Sequence, residues 1–342
     1  MAEQAWRSEW LKTPMARKDL SVQQATDLFN AIMDGALTEA QIAGVLVALA
    51  AKGETVQEIT GAARAMRAHS VKLETGGAAV IDIVGTGGTG LATMNVSSPS
   101  AVVAAGAGVR VAKHGNRTNT RPSGSADVLA ALGVNIDCGP EIEARCLAEA
   151  GVCFCFAVRH HPAMKFAVPV RKQLAVRTVF NVLGPLTNPA GAARQLTGVF
   201  STAMVEPICR VLGALGSERA MVVCGEDGLD EITITAPTHV AEWIGGKCST
   251  RTIRPEDFGI KRARLEDLAV SSPAESAERI RAVLGGKKGP DRDIIILNTA
   301  AALAVAGAAA DMGAGIPLAE RSIDSGAAAG ALEKLVAVSN ER

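Results

Sequence analysis

The sequence predicts an α/β protein. A small all-helical N-terminal domain should precede a large domain whose mostly parallel central sheet is flanked by helices. Three observations carry this. Residues 1–72 hold helix signals and no strand signal. From Val80 onward, short apolar runs alternate with helical stretches, the pattern of parallel strand–helix–strand units. The first two predicted strands lead into polar loops rather than hairpin turns, as at the carboxyl edge of such a sheet.

Composition limits the function classes. The 342 residues are 48% hydrophobic and 20% charged, enough apolar content for a full core. Thirty-five Lys and Arg balance 35 Asp and Glu, whereas broad nucleic-acid binding needs a basic surface. The seven cysteines show no CxxC metal spacing, so they are expected as reduced thiols in a cytoplasmic protein. The first 15 residues lack the apolar core of a signal peptide. No window has the ~18 uncharged apolar residues of a membrane helix.

In chain order, Ser21 with Gln24, Thr38 with Gln41 and Thr55 with Glu58 are capping-box patterns, each ahead of an apolar helical segment (25–32, 42–51 and 59–66). Gly35 and Gly53 sit at the expected helix ends. So short a segment cannot bury three apolar helix faces alone; it should pack on the rest of the chain, on a second subunit or on both, and a homodimer through these helices is expected. Gly76-Gly77 marks the junction, giving domains 1–72 and 73–342, with a helical contribution to the first from about 163–185.

Residues 80–84 read as a buried strand, followed by Gly85-Thr86-Gly87-Gly88-Thr89-Gly90. Asn95, Ser97 and Ser98 then precede Pro99, with Ser98 expected as N-cap and Pro99 as the first helical residue. Exposed backbone N–H groups beside a helix N-terminus make an anion site, most often for phosphate. Residues 109–112 read as the next strand, and the polar loop after it holds Lys113, His114, Asn116, Arg117 and Arg121 before a helix near Ser125. Two such loops facing one crevice suit a ligand with more than one phosphate.

Helices are expected at 126–132 and 140–150, and a strand at 152–158. His160-His161-Pro162 ends it, and a helical stretch from 163 carries Lys165 and Arg171. A loop at 181–189 leads to strands at 195–199 and 220–223 around a helix at 205–215. Short antiparallel strands follow at 231–236, 239–243 and 248–253, then helices at 273–284, 293–306 and 327–338. Asp230-Glu231 is either a solvated acidic turn or an oxygen-ligand pair for Mg²⁺. Arg171 is either a surface cation or a grip for a carboxylate.

The segments DIVGTGG, NVSS, VAKHGNR, SGSADVLAALG, HHPAMKFAVPVRKQLAVRTVFNVLGPLTNPA and GEDGLDEIT, in this order, resemble anthranilate phosphoribosyltransferases. The resemblance implies Mg²⁺-dependent transfer of phosphoribosyl from 5-phosphoribosyl diphosphate to the amine of anthranilate, releasing diphosphate, in tryptophan biosynthesis. It implies donor contacts by Gly85, Gly87, Gly88, Thr89, Thr93, Asn95, Ser97, Ser98, Lys113, Arg121 and Ser125. The acceptor falls to Gly85, Asn116, His161, Arg171 and Pro185, and the metal to Ser97, Asp230 and Glu231. Lys113 and Arg171 carry the catalytic roles. Thr89 stands where the family has Asp, and Arg121 where it has a small residue, so the donor site is more positive than usual. The alternative is a diverged member binding another aromatic acceptor, a nucleotide or nucleic acid.

Overall fold

A computed structural model describes residues 6–117 and 123–341; Arg121 lies outside the described residues. Four helices open the chain: α1 (Glu9–Met15), α2 (Val22–Met33), α3 (Glu39–Lys52) and α4 (Val56–Ala68). All three capping boxes form. In the first, Ser21 Oγ accepts the Gln24 N–H at 3.2 Å and Gln24 Oε1 accepts the Ser21 N–H at 2.9 Å. Each such cap is worth ~1 kcal/mol. Glu58 also accepts the Leu20 N–H at 2.9 Å and pairs with Lys52, which ties the start of α4 to the entry of α2 and the end of α3.

The larger part follows as β1 (Ile81–Gly85), α5 (Ser97–Gly106), β2 (Val111–Gly115), α6 (Ser125–Ala131), α7 (Pro140–Ala150), β3 (Val152–Phe156), α8 (Ala157–His160), α9 (Val168–Leu174), α10 (Phe180–Leu183), β4 (Arg194–Gly198), α11 (Val205–Ala214) and β5 (Arg219–Gly225). Then come β6 (Thr238–Ile244), β7 (Lys247–Ile253), α12 (Pro273–Leu284), α13 (Pro290–Ala306), α14 (Met312–Asp324) and α15 (Ala327–Ser339). The described strands form one sheet in the order β3-β2-β1-β4-β5-β6-β7. The first five are parallel, and β6 and β7 are antiparallel.

The chain leaves β1 towards β2 and β3, then returns to add β4 on the other side of β1, so the strand order reverses between β1 and β4. Crevices open at such points. Gly85 and Gly198 are register partners there. Two hydrophobic cores flank the sheet. One packs Ile81, Ile83, Met221 and Val223 against α5 and α12–α15; the other packs Ala220, Val222 and Cys224 against α11 and the N-terminal helices. Helix α9 lies on α3 and α10 on α4.

Several expectations need correction. Ser98 is not the N-cap: α5 begins at Ser97, and Asn95 Oδ1 accepts the Ser98 N–H at 2.9 Å, doing the capping from outside the helix. Strand β2 runs to Gly115, so Lys113 and His114 lie on the strand, paired with Phe154 and Cys155. Strand β3 stops at Phe156, where the backbone turns helical and His161 N–H bonds Ala157 O at 3.0 Å. Residues 231–236 are not a strand. Their backbone groups bond side chains instead: Ile232 N–H to Asn298 Oδ1 at 2.9 Å, and Thr233 N–H to Thr238 Oγ1 at 3.1 Å. Helix α14 escapes sequence reading because Gly313, Gly315 and Pro317 weaken its pattern. Gly315 is needed for packing: a Cβ there would stand 2.6 Å from Ala300 O on α13.

Candidate active site

A cavity of about 590 Å³ opens between the carboxyl ends of β1 and β2 and the helices α9 and α10. Gly85, Asn116, His161, Arg171 and Pro185, scattered over a hundred residues of sequence, all line it. Alternation along β2 divides its two functional side chains. His114 faces the cavity, where its ring lies 5.1 Å from that of His161. Lys113 faces α5, where its Nζ donates to Ile83 O at 2.7 Å and to Ser97 Oγ at 3.1 Å.

Burial sets the charges here. It pushes His161 down to about 4, helped by nearby His160 and Lys72. His114 falls well below the usual histidine range, again through burial first and then the neighbouring imidazoles. Both rings are therefore neutral near pH 7. Arg171 is lowered by burial but keeps its charge, with its guanidinium 5.3 Å from the Phe180 ring centroid. His160 is structural: its Nδ1 bonds Val71 O at 2.8 Å, and its Nε2 lies 2.7 Å from the buried Glu143 carboxylate.

Beside the cavity, Gly87, Gly88 and Gly90 take positive φ, which fits them to the loop after β1. Asn95 holds this end of α5 to α6 through an Nδ2–Ser125 Oγ bond of 3.3 Å. Asn95 thus ties Ser98 to Ser125, while Lys113 separately holds Ser97. Thr93 is buried and bridges Ala269, and Thr89 Oγ1 accepts the Leu91 N–H at 3.3 Å within the loop.

The acidic segment lies across the ends of β1 and β4. Asp230 and Glu231 are both buried, which removes the solvated-turn reading. A Cβ at Gly85 would overlap the Asp230 carboxylate, and one at Gly198 would overlap the Asp230 carbonyl. Two glycines therefore make room for this segment. Asn298 on α13 anchors it from below, and Asp227 braces it by accepting from Thr233 and Thr235. The two buried carboxylates, and separately the Ser97 hydroxyl beside the glycine loop, are oxygen donors of the kind a hard divalent cation takes, so these residues fit Mg²⁺.

Sequence reading missed Asp82 and Asn298. Asp82 Oδ1 accepts the His114 N–H at 3.0 Å, and burial raises its carboxyl to about 6 against the pull of Lys113. A carboxylate inside an apolar strand was the available signal for it. Asn298, within a nearly all-apolar helix, was the same kind of signal.

Glycine loop, helix start and acidic segment meet at the reversal point of a parallel sheet, with a helical bundle over the adjoining cavity. This is the architecture of a two-domain glycosyl transferase: residues 8–70 match the helical bundle domain of the glycosyl transferase family and residues 77–329 its α/β domain. Within that class, the chain belongs to the anthranilate phosphoribosyltransferase family. The anthranilate phosphoribosyltransferase of Thioalkalivibrio sulfidiphilus is 54% identical over 94% of this chain and 95% of its own. That of Rhodospirillum rubrum is 53% identical over 94% of this chain and 92% of its own. The crystal structure of the Thermus thermophilus enzyme superposes with a TM-score of 0.92 at 41% identity, covering 97% of this chain and 100% of the other. The Saccharomyces cerevisiae enzyme, solved in complex with PRPP (5-phosphoribosyl diphosphate) and Mg, gives 0.88 at 28% identity, covering 98% and 99%.

Proposed function

We infer that the chain catalyses Mg²⁺-dependent transfer of the phosphoribosyl group from 5-phosphoribosyl diphosphate to the amine of anthranilate, the step its family supplies to tryptophan biosynthesis. The residues divide the work as follows. Breaking the bond at ribose C1 builds positive charge on the sugar and negative charge on the leaving diphosphate. Backbone N–H groups of Gly88 and Thr89, with the N-terminus of α5, cradle the diphosphate. Asp230 and Glu231 would hold one Mg²⁺ and Ser97 would contact another, and these ions would neutralise leaving-group charge. Lys113 adds fixed positive charge beneath the loop and orients Ser97.

Arg171 grips the anthranilate carboxylate, and Gly85, Asn116, His161 and Pro185 shape the slot for its ring. An aromatic amine is nucleophilic when neutral, so aligning it with C1 is the main task. The neutral rings of His114 and His161 suit this, since they add no charge to repel the developing positive sugar.

One observation carries this reading: five acceptor residues expected from the sequence converge on one cavity that meets the glycine loop at Gly85. The test is loss of anthranilate fluorescence when the protein is mixed with donor and Mg²⁺, together with rescue of a tryptophan auxotroph lacking this step. Failure of both would overturn it.

The same reading extends to organisation. The domain division at 72/73, with 163–185 assigned to the small domain, is supported by α9 and α10 packing on α3 and α4. A homodimer through the N-terminal helices is supported by Met15 and Val47, apolar side chains 68% and 44% exposed there. All seven cysteines are unpaired, and six are buried, which supports a reducing cytoplasmic setting. No helix among the described residues is long and apolar enough to cross a membrane.

A further inference from the structure

We propose that Arg177 is a positioning residue that fixes the donor loop from the acceptor side of the cleft; this rests on the phosphoribosyl-transfer reading. Helix α9, which carries Arg171, ends at Leu174, and Ala175 then takes φ 50° and ψ 26°. A left-handed conformation is costly for a residue with a Cβ. Among the described residues, only Arg17 shares it outside glycine. The reversal also leaves Val176 58% exposed. The chain then re-enters helix α10, with the Thr178 N–H bonded to Asn181 Oδ1 at 2.9 Å. This strained excursion delivers the Arg177 guanidinium to two partners. Its Nη2 donates to Gly88 O at 2.7 Å, and its carbon sits 4.1 Å from the centroid of the Phe200 ring just beyond β4.

The contact falls where the loop is least held. Thr86 N–H bonds Gly198 O at 2.9 Å and Gly87 N–H bonds Asp230 at 2.7 Å. Beyond Gly87, the bond from Arg177 is the only one among the described residues that reaches positions 88–90 from outside the loop. Because the peptide is planar and trans, pinning the Gly88 carbonyl towards Arg177 turns the Thr89 N–H to the opposite side. That sets the direction of one anion-binding donor. The Arg177 guanidinium is exposed, and the partners described for it are the Gly88 carbonyl and the Phe200 ring. Phe200 holds the guanidinium plane in place by a cation–π contact.

Arg177→Ala should raise the donor KM about tenfold, the low end for losing a hydrogen bond from a charged group. The anthranilate KM should stay within about twofold. Calorimetric titration of 5-phosphoribosyl diphosphate with Mg²⁺, in the absence of acceptor, should show the same loss in Kd. Arg177→Lys keeps a charged donor but loses the planar stack, so it should recover part of the loss. Wild type run alongside separates the two ideas: an unmodified chain that binds no donor sinks the phosphoribosyl-transfer reading itself. Unchanged donor affinity in Arg177→Ala, or equal weakening of both substrates, overturns the positioning role. Should Arg177→Ala fail to fold, Phe200→Leu removes the stacking face alone and should raise the donor KM about threefold; no change in donor KM there overturns the role as well.

Discussion

The Asp230 carboxylate accepts the backbone N–H of Gly87 at 2.7 Å, across 143 positions of sequence. A single bond thus joins the acidic segment to the glycine loop, and neither can shift without the other. The bond is possible because Gly85 and Gly198 leave no Cβ where Asp230 lies.

Gly198→Ala tests this packing. The new methyl would overlap a backbone carbonyl, which cannot swing aside as a flexible side chain can. Catalysis should fall at least tenfold and the Tm should drop. Gly330→Ala, on α15 with nothing nearby, is the control and should be neutral or stabilising by up to ~1 kcal/mol. Equal behaviour of the two variants would argue against a tight fit at Asp230.

Arg171→Ala should raise the anthranilate KM roughly 10- to 150-fold, corresponding to the ~1.5–3 kcal/mol of a hydrogen bond to a charged group. The donor KM should change little. Steady-state kinetics with each substrate varied in turn checks this, and an unaltered anthranilate KM would remove Arg171 from the acceptor site.

Replacing Asp230 and Glu231 together by Ala should abolish the dependence of rate on Mg²⁺ concentration and lower the rate itself. Retention of both would leave the pair a purely structural support for the glycine loop.

Acid should destabilise the fold through His161. Its folded value of about 4 lies below the ordinary 6.5, so the native state holds the neutral ring while the unfolded chain takes up a proton. The stability it contributes is present above pH 6.5 and is lost as pH falls towards 4, by about 2 kcal/mol between pH 7 and 5. Asp82, raised to about 6, runs the other way over part of that range, since its native state holds the proton. Comparing wild type with His161→Gln cancels the Asp82 contribution. The variant should lose less Tm on acidification, and parallel Tm curves would refute the assignment.

Val47→Glu should convert a dimer to a monomer by placing a charge on the exposed apolar face of α3. Light scattering before and after reads the mass directly. A wild-type monomer at micromolar concentration would contradict pairing through these helices.

Much of this was legible from residue order. The three capping boxes state both where helices start and which side chains hold them, so local chemistry sufficed. The glycine loop was legible because positive φ demands glycine. The acceptor residues became legible through resemblance, and the cavity brings them together. What escaped depends on distant partners. Residues 231–236 have strand-like composition, yet their backbone groups are taken up by Asn298 and Thr238, which no local pattern reveals. Neighbouring His160 and His161 look alike in sequence. One sits against Glu143 and is raised while the other is buried and lowered, a contrast set by tertiary surroundings. Nothing local in the sequence marks Arg177, because its carbonyl partner lies 89 positions away.

Strand β5 serves two masters. Met221 and Val223 belong to the core beneath α13, while Ala220, Val222 and Cys224 belong to the core shared with the N-terminal helices. Adjacent residues on one strand therefore act as separate tuning knobs. Trimming Val222 should loosen the half that shapes the acceptor slot, and trimming Met221 the half that anchors the donor loop. An engineer seeking a broader acceptor range could soften one hemisphere of the molecule while leaving the grip on the sugar phosphate untouched.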